Sequence, residues 1–177
     1  WIPDGAKEVL SDRWTPRALL RESLDEIYSK AYGPELMRDS LESKLFGIGS
    51  ESYVVGSHEF YLNYAHAAGK MVCLDLGHFH PTESVADKVS SILLFFPELA
   101  LHISRGVRWD SDHVVVLTDD LRDLCAELVR DGLLSRVRLA LDYFDASLNR
   151  VAAWVVGARA LLQALIDFIR QRQRGCG

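Results

Sequence analysis

The chain has 177 residues, 49% apolar and 25% charged, a balance that excludes a disordered segment and allows a sizeable buried core. Its formal charge of −5 comes without any block of like charges, so there is neither a basic nucleic-acid footprint nor a membrane-binding tail, and the expected partner is a small molecule. The densest apolar stretch, 90–103, is broken by Pro97, Glu98 and His102, short of the about 18 to 20 uncharged residues of a membrane span, so none is expected.

Cys73, Cys125 and Cys176 are far apart and form no CxxC pair. This argues against a disulfide framework or a zinc knuckle, and for a reducing cytoplasm. The opening Trp-Ile-Pro-Asp-Gly has neither the basic nor the apolar region of a signal peptide, and it lacks an initiator methionine.

In chain order, the spacing predicts a first helix from about Pro16 to Tyr32, with Thr15 as its cap and Gly33-Pro34 as its stop. Residues Ser40 to Phe46 read as a strand, His58 to Ala68 as a helix ending at Gly69, and Met71 to Leu76 as the next strand. Ser84 to Phe96 reads as helix, Leu99 to Ser104 as strand, Asp119 to Asp131 as helix with Gly132 as its stop, and Arg136 to Tyr143 as strand. A long helix from about Ala146 to Gln171 closes the chain, followed by a frayed tail. Alternating strands and helices without a linker predict one α/β unit, 1–177, with a parallel sheet. Its βα modules amount to roughly half of a (β/α)₈ barrel, which takes about 250 residues.

Side chains of metal-ligating type fall at or just after the ends of these strands: Glu42, Asp75, His78, His102, Asp110, Asp112 and Asp142. Parallel strands of a barrel point their C-terminal ends at one face, so residues distant in sequence converge there. Buried carboxylates repel unless a cation compensates them, so such convergence implies metal. Oxygen-rich ligation with one or two imidazoles suits Mn²⁺, the first choice, or Mg²⁺ or Co²⁺. Asp110 and Asp112 alternate along an extended segment and face the same way; Glu42 and Lys44 do likewise, which places an ammonium beside the metal to stabilise a developing oxyanion. Taken singly, an acid in the position of Asp142 is more often a helix cap or a solvated group, and a histidine inside Leu-His-Ile more often a hydrogen-bonded core residue. His80 and His113 read as supporting groups, and His58 and His66 as surface residues. Gly47-Ile48-Gly49 lacks the further glycine and the lysine of a phosphate loop.

Longer motifs add a resemblance. Glu-Ser-Lys-Leu-Phe-Gly-Ile-Gly at 42–49, Leu-Asp-Leu-Gly-His-Phe-His-Pro-Thr-Glu at 74–83 and Val-Arg-Trp-Asp-Ser-Asp-His-Val-Val at 107–115 resemble the L-rhamnose isomerase family. So do Leu-Asp-Tyr-Phe-Asp-Ala-Ser at 141–147 and Arg-Val-Ala-Ala-Trp at 150–154, and together these cover nearly the whole chain in order. The resemblance implies a barrel enzyme interconverting L-rhamnose and L-rhamnulose by a metal-assisted hydride shift. It implies one metal on Glu42, Asp75, His102 and Asp142, and a second, catalytic one on His78, Asp110 and Asp112, with Asp75 bridging. Lys44 matches the family lysine beside the substrate carbonyl, and Trp1 an aromatic that packs against the sugar. The hydroxyl proton would move through a water at the site or a carboxylate such as Asp142. A homo-oligomer is implied as well, a tetramer in the full-length family.

Gly106 departs from the family proline. The resemblance starts near the end of a fourth strand, so the chain is expected to be a fragment, or to pair with another copy across its open sheet edges. Two further readings stand beside the rhamnose one: an isomerase or epimerase of another sugar, and a metal-binding barrel fragment without turnover.

Overall fold

The computed structural model describes residues 1–45, 47–107, 112–144 and 148–175. In chain order the elements are β1 (Gly5–Ala6), α1 (Trp14–Tyr28), β2 (Ser40–Glu42), β3 (Val54–Val55), α2 (His58–Ala68), β4 (Met71–Asp75), α3 (Ala86–Leu93), β5 (Leu99–Ile103), α4 (Asp119–Arg130), β6 (Val137–Leu141) and α5 (Arg150–Gln173). Two 3₁₀ turns, Gly49–Tyr53 and Leu133–Arg136, complete the set.

Strands β2-β4-β5-β6 form one parallel sheet in that order. Its central strands are almost uninterruptedly apolar, the composition expected of strands buried on both faces. Along them, alternate residues take opposite sides. Val72, Leu74, Leu99, Leu101 and Ile103 are fully buried and join the helices in one hydrophobic cluster with Val89, Leu121, Leu124, Leu128 and Ala164. Right-handed crossovers between neighbouring parallel strands put their helices on one side of the sheet. The intervening residues therefore look the other way. Cys73 and Ala100 form one row of that second face, and Asp75, His102 and Ala140 the next. On β6 this side is open, with Arg138 and Ala140 exposed while Val137 is buried.

Two helix stops fall where they were expected, whereas α1 ends at Tyr28, short of the expected stop at Gly33-Pro34. Gly69 and Gly132 both adopt left-handed backbone, φ 63° and 69°. Thr118 caps α4 by accepting from Leu121 N. Other boundaries differ. Helix α1 begins at Trp14, because Asp12 Oδ1, not Thr15, accepts from Trp14 N at 2.8 Å and Thr15 N at 3.2 Å. Helix α5 begins at Arg150, capped by Asn149, whose side chain accepts from Val151 N and Ala152 N. Its expected start at Ala146 lies outside the described residues, as do Phe46, Asp110 and Cys176.

The sequence reading passed over the two-residue strands β1 and β3, which pair antiparallel. It also passed over α5 as a long apolar helix. By length and composition α5 is sufficient to cross a membrane, with a mean hydropathy of 1.5 over its most apolar window, a third of which is buried. Requiring an uncharged run hid it, since Arg159 and Asp167 punctuate the segment. Its small-residue stripe, Ala153, Gly157, Ala160 and Ala164, is buried, so part of that apolarity is a packing face.

Candidate metal centre

The C-terminal ends of all four sheet strands deliver a carboxylate or imidazole to the helix-free face. Glu42 ends β2, Asp75 ends β4, His102 is the penultimate residue of β5, and Asp142 follows β6. Asp75 and His102 are register partners, which brings their side chains together with no loop involved. One donor atom from each of Glu42, Asp75, His102 and Asp142 lies within 4.8 Å of every other. His102 Nδ1 stands 2.9 Å from both Glu42 Oε1 and Asp142 Oδ2, and 3.7 Å from Asp75 Oδ2. A single ring proton serves only one of these acceptors well, and three carboxylates around one imidazole leave negative charge for a cation to neutralise.

Asp75 supplies the sharpest test of fit. It is 1% exposed. Its Oδ1 accepts from Gly77 N at 2.7 Å and from the Ser104 hydroxyl. Oδ2 is buried and accepts no hydrogen bond among the described residues. A buried carboxylate oxygen without a donor is costly, and a cation is the partner its chemistry calls for. Burial pushes the Asp75 carboxyl up to about 6, against the opposing pull of His78, Ser104 and the Gly77 amide. Burial also raises Glu42, but the hydrogen bond from His102 and the nearby charges of His78 and His102 bring it below its ordinary value. His102 is raised, chiefly by that same bond to Glu42.

A second group, Asp75, His78 and Asp112, also lies within 4.8 Å, so Asp75 belongs to both. His78 Nδ1 stands 3.2 Å from the Ser43 carbonyl. A carbonyl only accepts, so Nδ1 carries a proton toward it, and Nε2 faces Asp112 Oδ1 at 3.7 Å. Asp112 has φ 33°, a left-handed conformation that an aspartate tolerates. Pairing of Arg105 with His113 and the bond from Phe144 N to Asp112 O, 3.1 Å, hold its backbone there. The donor set, mainly carboxylate with one imidazole in each group, fits a hard or borderline divalent ion.

The family model described as L-rhamnose isomerase matches residues 1–174. The chain belongs to the L-rhamnose isomerase family. It is 57% identical over 166 residues to L-rhamnose isomerase of Rhodopirellula baltica, covering 94% of this chain and 39% of that protein. It is 55% identical over 171 residues to the L-rhamnose isomerases of Salmonella paratyphi B and Salmonella newport, covering 94% of this chain and 41% of theirs. The chain thus spans about two fifths of the length of the curated relatives it matches.

In this member of the L-rhamnose isomerase family, Lys44 and Trp1 also meet. Lys44 Nζ lies 5.2 Å from the centre of the Trp1 ring and 2.9 Å from Glu51 Oε2, on the first 3₁₀ turn. Trp1 is held by a strap. Tyr61 hydroxyl accepts from Ile2 N at 2.7 Å and donates to Ile2 O, and buried Asp4 accepts from Ser57 N, Ser57 Oγ and Arg17 Nε. Gly56 makes the approach possible, since a Cβ there would lie 2.9 Å from Trp1 Cε3.

Asp110 lies outside the described residues. His58 is not the surface residue expected: it is half-buried, 3.2 Å from Ser43 Oγ and edge-on to Phe79. His66 is exposed, and His80 bonds Thr82. Sequence reasoning missed Ser104, Gly77 and Glu51. Ser104 is one residue past β5, two residues from His102, and that alternation was the available signal; Glu51 carried none.

Proposed function

We propose that this chain is the metal-binding part of an aldose–ketose isomerase interconverting L-rhamnose and L-rhamnulose, folded as roughly half of a (β/α)₈ barrel whose interior is the helix-free face. The observation that carries the reading is the convergence of Glu42, Asp75, His102 and Asp142 from four successive strand ends, with Asp75 Oδ2 buried and lacking a donor. Manganese is the preferred ion, with Mg²⁺ and Co²⁺ as alternatives, and Asp75 belongs to both groups of residues that would hold an ion. A homo-oligomer working in the cytoplasm completes the proposal.

Bound divalent ions supply Lewis acidity at the sugar oxygens, lowering the cost of charge developing between C1 and C2. The chain's own residues do the rest. Lys44, buried to 8% exposure, presents its ammonium as an electrophile to the carbonyl oxygen, with Glu51 fixing its direction. Trp1 forms an apolar wall for a sugar face. Asp142, the most exposed of the acids around His102, is placed to accept and return the hydroxyl proton. His78 keeps Nε2 directed at the second group through its bond to the Ser43 carbonyl.

Manganese calorimetry on the chain and on an Asp75→Asn variant tests the reading, followed by assay of L-rhamnulose formation. Two ions should bind, and the variant should lose both, beyond the about 10–100-fold weakening typical when only a supporting partner is removed. Binding that survives Asp75→Asn overturns the shared-ligand reading. Faster turnover of L-mannose, L-lyxose or D-allose than of L-rhamnose would assign a different sugar.

A further inference from the structure

None of the residues that fasten Trp1 belongs to a group of metal-ligating side chains. They build a small antiparallel ribbon with residues 53–57 in its middle. On one edge lies the strap: Asp4 N donates to Val55 O at 2.9 Å and Lys7 N to Tyr53 O at 3.0 Å, with Gly5 and Ala6 in register with Val55 and Val54. On the other edge Lys44 and Gly56 exchange two backbone hydrogen bonds, each 2.9 Å. Trp1 and Lys44 thus reach one place from opposite edges, and they meet at Gly56. A Cβ there would lie 2.9 Å from Trp1 Cε3, 3.2 Å from Lys44 N and 3.3 Å from Tyr61 Cε2.

We infer that Asp4 and Tyr61 are positioning residues for sugar recognition: they fasten the strap so that the Trp1 ring is preset as one wall of the sugar site, and they act on sugar affinity without acting on ion binding. The inference rests on the isomerase reading of this face. Asp4 is fully buried. Its carboxyl group accepts from Ser57 N at 2.7 Å, from the Ser57 hydroxyl and from Arg17 Nε at 2.7 Å, so it is seated between the start of α2 and the side of α1. A carboxyl group shut away from water stays there only where such donors offset its desolvation, which gives the strap one seat. Tyr61, 2% exposed, fastens the strap beside Trp1 by accepting from Ile2 N and donating to Ile2 O. Burial pushes that hydroxyl up to about 12, so it keeps the proton it donates.

The Trp1 ring is 36% exposed, so packing alone does not fix it. An unfastened strap would have to be ordered at each sugar encounter, and the lost backbone freedom would be subtracted from affinity. Fastened, it loses that entropy during folding, and the wall stands before the sugar arrives. Lys44 has a separate hold, through Gly56 and Glu51, so loosening the strap removes the wall and leaves the ammonium in place. Loss of a contact made equally to substrate and transition state raises KM and spares kcat.

The test uses the full chain carrying Trp14→Phe, Trp109→Phe and Trp154→Phe, so that Trp1 is the only indole. The readouts are Trp1 emission during titration with L-rhamnose in excess Mn²⁺, calorimetric Mn²⁺ affinity and far-ultraviolet circular dichroism. L-Rhamnose should change the emission saturably. Asp4→Asn keeps the volume but sets an amide against Arg17, and Tyr61→Phe removes only the hydroxyl. Each should raise the midpoint about tenfold or more, with Mn²⁺ affinity and helicity unchanged, and KM should follow the midpoint while kcat does not. Should Asp4→Asn fail to fold, Tyr61→Phe decides by itself. An emission indifferent to L-rhamnose, a midpoint that neither variant moves, or a shift that comes only with lost helicity or lost Mn²⁺ affinity would each overturn the inference. L-Rhamnulose formation without an emission response would sink this inference and leave the isomerase reading standing. A shifted midpoint without L-rhamnulose formation would do the reverse.

Discussion

Asp75 is held near the top of the carboxylate range by its burial, and the consequences run in two directions. Its pKa in the metal-free fold, about 6, exceeds the ordinary aspartate value of 3.8, so the folded state binds the proton more tightly than the unfolded chain. Its contribution to metal-free stability is therefore complete below about 4 and is lost as pH rises through about 6. Asp75→Asn should raise the melting temperature of the metal-free chain at pH 7 while abolishing ion binding, which melts in the presence and absence of a chelator will show. Protons and cations compete for the same carboxylate, so Mn²⁺ affinity should fall as pH drops below about 6. Removing the Ser104 hydroxyl bond, which pulls Asp75 downward, should shift that midpoint upward. Calorimetry of Ser104→Ala across pH reads this directly. Gly77→Ala attacks the same oxygen from the backbone side, since its Cβ would lie 2.9 Å from Ser104 Oγ and 3.3 Å from Asp75 Oδ1.

Helix α5 connects packing to the site at the scale of an element. Its Gly157 faces Tyr143, whose hydroxyl donates to Ala153 O at 2.9 Å, and a Cβ at 157 would lie 2.0 Å from that hydroxyl. Tyr143 follows Asp142 directly, so Gly157→Ala should destabilise the fold and weaken Mn²⁺ binding together, by displacing the end of β6. Asn149→Ala removes the helix cap alone and should cost about 0.5–2 kcal/mol in urea unfolding, with a smaller effect on metal affinity. Most helix ends were readable because glycine in left-handed backbone and a capping side chain are local chemistry. The start of α1 was not: Thr15 was expected as the cap, and it is Asp12 Oδ1 that accepts from Trp14 N and Thr15 N. The short strands β1 and β3 have no periodicity to read, and they exist because the strap from Trp1 to Ala6 docks on the segment before α2.

For the whole molecule, the sheet has two unpaired edges among the described residues, β2 and β6. Trp154, Val155 and Leu162 on α5 are also at least half exposed, at 50, 52 and 56%. Edges and apolar surface of this kind favour association. The isolated chain should dimerise or aggregate in size-exclusion chromatography, and a stable monomer at micromolar concentration would count against that expectation.

The sequence by itself determined the alternation of strand and helix, the family, and the residues able to bind a cation, because periodicity, capping and donor chemistry are written residue by residue. Glu42, Asp75, His102 and Asp142 were recognisable by type and by position at strand ends. Tertiary structure decided which donor atoms meet. Register set Asp75 beside His102, and the shared face brought Cys73 to Glu42. Packing turned His58 inward and left Asp75 Oδ2 without a donor. These depend on strand pairing between residues tens of positions apart, and on the desolvation that pairing imposes, neither of which a local pattern encodes.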